Sequence, residues 1–354
     1  MLNKRPIYTS LCFSNPFARR RMIDRITDYC KEHPNLDFIH VWLSDNHNNN
    51  CECENCRKLR TSDWYITLFN ELDERFTAEG IETKIVGIVY VDLFWPPVQE
   101  KKLKNKDRFL LGYAPIFRSY GEAFDTKNVG EMKPYVLNQL EFPETVPDNQ
   151  AYIREWQKLY DGDTFMFEYH FMWDHYVDLP QYHHAKIVQE DIRWMKEMGL
   201  NGWINCKVQT SYFPSALSTN MMAETLWNRE VEFDTVADKV LSTEFGEKFL
   251  AVKEFLAALS EHGCAKAFRG EEEFSRPENV ANLRKALDIL AEFAGTIEGQ
   301  KANPDRQIAE AWERLEFFAQ IYEKILRLAL QVGLTGELGD TEAVKRFILS
   351  GEER

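Results

Sequence analysis

The chain has 354 residues, of which 44% are hydrophobic and 28% are charged, and its formal net charge is −14. This composition supports one large buried core or two smaller ones. The negative charge argues against nucleic acid and anionic membrane surfaces as partners. The longest apolar runs fall short of the roughly 18 residues that a membrane-spanning helix needs, so no membrane partner is expected.

The amino terminus, MLNKRPIYTS, lacks the apolar stretch of a secretory signal. The chain as written is therefore expected to be cytoplasmic, and periplasmic or extracellular if an upstream segment is missing. Seven cysteines are an odd number, and a chain of this length does not need disulfides for stability. Cys30 and Cys206 fall in apolar patterns typical of a core.

Short apolar runs rich in β-branched and aromatic residues alternate with amphipathic segments from the amino terminus to about residue 230. Such runs predict strands that are buried on both faces, and the segments between them predict helices. This alternation predicts a parallel sheet with right-handed crossovers. The predicted strands are 6–13, 37–44, 84–91, 108–114, 163–170 and 202–208. The predicted helices are 17–32, 63–79, 149–160, 181–198 and 218–228.

Beyond residue 230 the pattern has a period near 3.6, which predicts helices that include 277–299, 304–333 and 340–350. We therefore predict two domains, a (β/α) barrel domain over 1–230 and a helical domain over 231–354. Six strands do not close a (β/α)₈ barrel. Either the sheet is open, or the chain begins inside a barrel whose first units are missing.

Sites in parallel α/β sheets form outside the carboxyl ends of the strands. Asp45, Asp92 and Glu168 each stand at such an end, and carboxyl groups of this kind serve as acid and base in glycosidic bond cleavage. An acid at a strand end also caps helices or pairs with arginine, and this alternative stays open. The predicted substrate-binding residues, which offer aromatic faces or hydrogen bonds to a sugar, are Asn46, Tyr90, Trp95, Tyr113, Arg118, Tyr169, His170, Trp173 and Gln209.

The stretch LSDNHNNNCECENC contains three cysteines, Cys51, Cys53 and Cys56, whose grouping packing does not explain. A structural zinc takes four Cys or His ligands, and Cys12 and His47 are candidates for the fourth. Free thiols, a local disulfide or redox chemistry are alternatives, although a disulfide between cysteines two apart is strained. Metal ligation predicts that Cys12, Cys51, Cys53 and Cys56 converge.

Three further motif observations bear on function. The segment EYHFMWDH places His170, Asp174 and His175 at a spacing that suits a hydrolytic metal, but no H-E-x-x-H motif accompanies it. The pair His183 and His184 opens a predicted helix and favours a structural role. The sequence lacks G-x-G-x-x-G, P-loop and G-x-S-x-G motifs, which disfavours nucleotide binding and the α/β-hydrolase triad.

Several stretches resemble a bacterial family of unknown function whose members are similar to glycoside hydrolases with a barrel of the alpha-glucuronidase and hexosaminidase type. The resemblance covers roughly residues 6 to 250, and its most specific motif is the cysteine loop. The stretches are LCFSNP, SDNHNNNCECENC, TLFNELDERF, VYVDLFWPP, EDIRWMKEMGLNGWINC and MMAETLWNREVEFDTVADKVLSTEFG.

The resemblance implies a (β/α)₈ glycosidase-like domain from a carbohydrate-degrading bacterium, with upstream barrel strands that this sequence lacks. Hexosaminidase-type barrels carry an acidic pair after one strand, whereas here Asp45 is followed by Asn46. No catalytic residues carry over from the family. The nominations of Asp45, Asp92 and Glu168 therefore rest on strand-end position.

Together these observations predict a glycoside hydrolase-like protein. Its substrate would be an oligo- or polysaccharide, including one bearing a uronic acid. Glu168 and Asp45 would form the acid/base pair, with Asp92 as a helper and Arg118 or Lys207 as the partner of a uronic carboxylate. No cofactor is required for this catalysis. The alternatives are a non-catalytic carbohydrate-binding barrel and a metal-dependent hydrolase. The oligomeric state is left open.

Overall fold

The computed structural model describes residues 9–100, 102–300, 302–341 and 345–346. The chain forms two compact units. The first, here called the sheet unit, takes in the chain up to residue 119, 124–168 and 194–205. The second, the helical unit, takes in 120–123, 169–193 and the chain from 206 onward. The predicted division into 1–230 and 231–354 stays a prediction.

A five-stranded sheet organises the sheet unit, and its strands follow one another in space in the order of the chain, β1-β2-β3-β4-β5. The pairs β1–β2, β2–β3 and β3–β4 are parallel. The last residues of β4 and β5 belong to the helical unit. A mixed α/β fold with a parallel sheet is therefore confirmed. The strands are β1 Phe38–His40, β2 Lys84–Val89, β3 Phe109–Tyr113, β4 Asp163–Phe171 and β5 Gly202–Lys207.

The predicted strand at 6–13 is wrong over its described part, because residues 9–13 form no strand, and residues 6–8 lie outside the described residues. This segment lies against a loop, with the Ser10 N–H donating to the Asn49 carbonyl at 3.3 Å, and Leu11 is 51% exposed. A run of apolar residues becomes a strand only where a neighbour supplies a hydrogen-bond ladder. The sheet therefore has five strands among the described residues, where six were predicted.

Helices connect the strands and make up most of the helical unit. The helices of the sheet unit are α1 Pro16–Glu32, α2 Thr61–Ala78 and α3 Val146–Gln157. The remaining helices are α4 Asp174–Val177, α5 Tyr182–Trp194, α6 Leu217–Trp227, α7 Phe233–Phe245, α8 Phe249–His262, α9 Ala265–Phe268, α10 Pro277–Glu298 and α11 Arg306–Thr335. Most of the predicted helix 340–350 lies outside the described residues.

Local signals in the sequence account for where the long helices begin and end. At α1 the Asn15 side chain accepts a hydrogen bond from the Phe17 N–H, and Pro16 occupies the first helical position. At α11 the Asp305 carboxylate accepts from two backbone N–H groups, and Gly336 ends the helix at a φ of 73°. None of the described helices is long and apolar enough to cross a membrane.

Strand alternation gives the sheet two different faces. On one face α2 packs closely, because the Phe69 ring stacks on Phe109 with centroids 5.5 Å apart and lies over Gly87. Register places Ile85, Gly87 and Val89 beside Phe109, Leu111 and Tyr113 on this helix-covered face. The opposite face, here called the open face, carries side chains that are partly exposed, namely Phe38, His40, Trp42, Phe167 and Ile204.

The helical unit has its own core, which includes Leu256, Leu283 and Leu315, all 0% exposed. Aromatic pairs hold its helices together. The Phe255 and Phe293 rings stack at 4.1 Å, and Phe245 meets the Trp312 ring edge-on at 5.3 Å. Burial of this much apolar surface stabilises the unit by roughly 25 cal/mol for each Å² removed from water.

Replacing Gly87 with alanine tests the packing between α2 and the sheet. An added Cβ would lie 2.7 Å from the Phe69 ring and 2.9 Å from Leu111, so both buried side chains must shift. We expect Gly87→Ala to lower the free energy of unfolding by about 1–3 kcal/mol, measured by urea denaturation. The control is Gly295→Ala in α10, where nothing lies within 4 Å, and it should stabilise by about 0.5–1 kcal/mol. Equal stability of the two variants would contradict this packing.

Candidate functional site

Of the three predicted catalytic carboxylates, Asp45 is the exposed one. It follows β1 in the loop at the carboxyl end of the sheet, and its carboxylate accepts a hydrogen bond of 2.9 Å from the Tyr90 hydroxyl at the end of β2. Adjacent parallel strands bring these two residues to one edge. The neighbouring Asn46 is also exposed, so both side chains can reach a ligand from solvent.

Asp92 holds the loop at residues 46–50, here called the asparagine loop, in place. It is 5% exposed, and it accepts hydrogen bonds from the Asn48 N–H at 3.0 Å and from the Asn50 side-chain amide at 2.6 Å. Burial raises the pKa of this carboxyl above its usual range. Asn48 has a φ of 52°, the left-handed conformation that asparagine tolerates. Asp92 therefore supports the loop that follows Asp45.

Glu168 lies inside the sheet unit. Its carboxylate is 3.2 Å from the Arg118 guanidinium, and both side chains are 0% exposed. Arg118 also lies over the Phe124 ring at 4.2 Å. Register pairs Tyr113 with Met166, and alternation then places Glu168 on the helix-covered face of the sheet. Asp45 and Glu168 thus stand in different surroundings, one in solvent and one in a buried ion pair.

Some of the aromatic residues predicted to bind substrate lie in the core, and others lie at the surface. Trp95 and Tyr113 are each 1% exposed, and the Trp95 indole N–H donates to the Lys133 carbonyl at 2.6 Å, so both are core residues. In the helical unit, Tyr169 stacks with Trp173 at 5.7 Å, and Trp173 is 40% exposed. Gln209, also in the helical unit, is exposed.

Sequence reasoning missed Trp42, an exposed aromatic residue of the sheet unit. Trp42 is 38% exposed on the open face, and its ring meets Phe167 edge-on at 5.5 Å. The signal was present in the sequence, because Trp42 continues the alternation of Phe38 and His40 past the last residue of β1. His40 also meets the Trp42 ring edge-on at 5.3 Å.

The residues of the metal-hydrolase alternative are buried in the helical unit. His170 Nε2 lies 2.7 Å from the Asp191 carboxylate, and Asp174 lies 3.7 Å from the Arg269 guanidinium. His175 is 1% exposed, no described group bonds to either ring nitrogen, and burial lowers its pKa to about 4. Among the described residues, Asp174 and His175 join no group of metal-ligand atoms lying within 4.8 Å of one another.

His184 has partners that His175 lacks. Its ring nitrogens lie 3.1 Å from the Ser218 hydroxyl and 3.0 Å from the His170 carbonyl, and its backbone N–H donates to Asp178 at 2.8 Å. Burial lowers the pKa of His184 to about 3. Its contacts fix α5 and α6 to the end of β4, the structural role that its sequence position favours.

The four nominated cysteines converge. Cys12 comes from the segment before α1, and Cys51, Cys53 and Cys56 come from the loop before α2. Their four sulfur atoms lie within 4.8 Å of one another, and all are free thiols. The Ser14 hydroxyl, 3.3 Å from Cys53 Sγ, and the Cys56 backbone N–H lower the pKa of Cys53 to about 6. This cluster is a candidate metal centre.

A groove of about 630 Å³ lies at the opposite edge of the sheet, near Leu36, Asp37 and Lys84. These residues stand at the amino ends of β1 and β2. In parallel α/β sheets this edge contributes to stability, whereas ligands bind at the carboxyl edge. We therefore assign the groove no function.

Arg118→Met tests whether Glu168 depends on its ion pair. Removing the guanidinium takes this opposite charge away from a buried carboxylate, so the free energy of unfolding should fall by about 3–5 kcal/mol. The double variant Arg118→Met, Glu168→Leu should lose less, because both charges of the pair are removed together. Urea denaturation measures both. The control is Arg327→Ala, which removes an exposed pair with Glu323 and should cost less than about 1 kcal/mol. Equal costs for Arg118→Met and Arg327→Ala would contradict the argument.

His175→Phe tests the buried imidazole through pH. The unfolded chain binds a proton near pH 6.5 and the folded chain only near pH 4, so His175 lowers stability as pH falls through that window. The advantage of His175→Phe over the wild type should grow by about 2 kcal/mol between pH 7 and pH 5.

The matched variant is His184→Phe, which leaves the His170 carbonyl and the Ser218 hydroxyl without that partner. It should cost about 1–3 kcal/mol at pH 7. Urea denaturation at the two pH values measures each variant. A parallel pH dependence for His175→Phe and the wild type would contradict the assignment of a buried neutral imidazole.

Two comparisons with known proteins return nothing. No protein-family model matches the chain, and no curated protein matches it. Assignment of function therefore rests on the chemistry of the described side chains.

Proposed function

We propose that the sheet unit is a carbohydrate-binding domain of the (β/α)₈ type, related to glycoside hydrolases. The strand order supports this type of fold, because barrels place consecutive strands side by side, whereas doubly wound sheets reverse direction at a switch point. The contact between Trp42 and Phe167 gives further support. In a flat sheet β1 and β4 would lie about 14 Å apart, so rings that meet at 5.5 Å favour a sheet curved toward the open face.

The observation that carries the proposal is the exposed Asp45 carboxylate, oriented by the Tyr90 hydroxyl at the carboxyl edge of the sheet. An ionised carboxylate accepts hydrogen bonds from sugar hydroxyls, and the adjacent Asn46 amide both donates and accepts. Trp42, three residues earlier, offers a partly exposed apolar ring face for the C–H groups of a pyranose. These groups together suit a ligand that is polar at its rim and apolar on its faces.

The ligand would bind at the surface of this edge. The cavity beneath the loop, near Ser44, Tyr90 and Asp92, holds only about 20 Å³. That volume admits one water molecule and excludes a sugar ring. Of the two cations nominated for a uronic carboxylate, Arg118 is paired with Glu168 in the interior, and Lys207 is exposed but belongs to the helical unit. Selectivity for a uronic acid is therefore not part of the proposal for the sheet unit.

Glycoside hydrolysis is the second candidate function. The orientation of Asp45 by a tyrosine hydroxyl favours it, because a nucleophile or base must be held in place. The reaction also needs a proton donor, at a carboxyl separation of about 5 Å for retention and ~6.5–9.5 Å for inversion. The other two nominated carboxylates, Glu168 and Asp92, are engaged by Arg118 and by the asparagine loop.

Asp45→Asn tests the proposal. Binding of xylo-, cello-, chito- and glucurono-oligosaccharides would first be measured for the wild type by titration calorimetry. For any sugar that binds, loss of the charged acceptor should weaken affinity by about 10- to 100-fold. The matched control is Asp37→Asn, an exposed acid at the amino end of β1, which should leave affinity unchanged. The absence of binding to every sugar class, or equal affinities of the two variants, would contradict the proposal.

The same variants separate binding from hydrolysis. If reducing ends appear when the wild type is incubated with the bound sugar, Asp45→Asn should abolish their release while Asp37→Asn should not. If no reducing ends appear although the sugar binds, the domain is a binding module without hydrolytic activity.

A further inference from the structure

The four converging thiols carry an inference that does not depend on the proposed function. We propose that Cys12, Cys51, Cys53 and Cys56 bind one structural zinc ion. The sulfur of Cys12 lies 3.7 Å from that of Cys53 and 3.8 Å from that of Cys56. A tetrahedral zinc with Zn–S bonds of about 2.3 Å requires its sulfur ligands to be about 3.8 Å apart. The thiols are therefore spaced as ligands around a common centre.

This spacing separates a metal site from a disulfide. A disulfide brings two sulfur atoms to about 2.05 Å and uses them in pairs. Here Cys12 is nearly equidistant from two other sulfur atoms, and the fourth thiol, Cys51, lies within 4.8 Å of all three. Four thiols converging on one point fit the ligand number of a structural zinc better than they fit two separate bonds.

Polar groups lie next to the sulfur atoms. The Cys56 backbone N–H donates to Cys53 Sγ at 3.4 Å. The Ser14 hydroxyl lies 3.3 Å from Cys53 Sγ and accepts from the Cys56 thiol at 3.1 Å. Four thiolates around Zn²⁺ leave a net charge of −2. Outer donors of this kind disperse that charge and orient the ligands.

The site is closed, as expected for a structural metal. All four nominated ligands are protein side chains, so no coordination position remains for water or substrate. Cys56 is buried, Cys12 and Cys51 are half-buried, and Cys53 is exposed at the rim. The ion would join the segment before α1 to the loop before α2, two pieces of chain that also meet where the Ser10 N–H donates to the Asn49 carbonyl.

The segment before α1 and the loop before α2 are only partly buried at the cluster. Leu11 is 51% exposed, Cys12 and Cys51 are half-buried, and Cys53 is exposed. The loop from 43 to 56 is rich in asparagine and acidic residues. Polar loops of this kind gain order from bound metal, because binding free energy becomes folding free energy.

The experiment measures metal content of the full chain, purified from zinc-supplemented medium and dialysed against metal-free buffer. Elemental analysis should find about one zinc per chain. Cys53→Ser should lower the zinc content at least tenfold. The matched control is Cys206→Ser, a half-buried cysteine outside the cluster, which should keep the wild-type zinc content.

A second measurement uses the wild type alone, in case Cys53→Ser fails to fold. Cobalt(II) added to the chelator-stripped chain should give the intense visible bands of a tetrahedral thiolate site, and zinc should displace them. Thiol titration of the native chain should show four fewer reactive thiols than titration after zinc removal.

Three outcomes would overturn the proposal. A folded wild-type chain without metal that also takes up no cobalt would exclude the site. Iron in place of zinc would overturn the identity of the ion. Equal zinc content in Cys53→Ser and Cys206→Ser would place the metal elsewhere.

Discussion

Parallel pairing between consecutive strands is the constraint on which the sheet unit depends. Each strand of a parallel pair must begin at the same end of the sheet, so the chain crosses over one face between strands. Helix α2 lies in the connection from β1 to β2, and α3 lies in the connection from β3 to β4. The carboxyl-end loops are then gathered at one edge. This explains why the loop after β1, which carries Asp45, meets Tyr90 and Asp92 after β2 through hydrogen bonds, although the two loops are distant in the chain.

The buried polar groups follow from the same geometry. A side chain on the helix-covered face of the sheet is buried, and a buried charge needs a partner. Glu168 has Arg118, and Asp92 has the Asn48 N–H and the Asn50 amide. His175 differs, because no described group bonds to its ring, and burial holds it in the neutral form. The contacts described for Glu168 and Asp92 are with other groups of the protein, so these side chains contribute to the fold.

The sequence predicted most of the sheet. The runs at 84–91, 108–114, 163–170 and 202–208 each match β2 to β5 within two residues at either end. Continuous apolar runs of that length pair readily with neighbours on both sides. The run at 6–13 has a similar composition, but its described residues 9–13 join no strand ladder, which no local pattern reveals.

The candidate site was harder to predict, because strand-end position gives the edge of a sheet and leaves the face undetermined. Around Glu168 the sequence MFEYHF is apolar on both sides, so alternation carries no signal about which face a side chain occupies. For the same reason the sequence did not reveal that Trp95 and Tyr113, which were predicted to bind substrate, are buried in the core. The cysteine spacing C-x-C-x-x-C needed no face assignment, and the nominated thiols do converge.

The shortness of β1 has a consequence for association between molecules. Among the described strands it is an end strand of the sheet, and it has only three residues, Phe38–His40. An edge strand with unpaired N–H and C=O groups is a template on which a second chain can add. Three residues present too few such groups for a stable added strand, even though Phe38 and Trp42 make the border apolar. The apolar side chains alone would promote association between two molecules through this edge. The short length of β1 limits it.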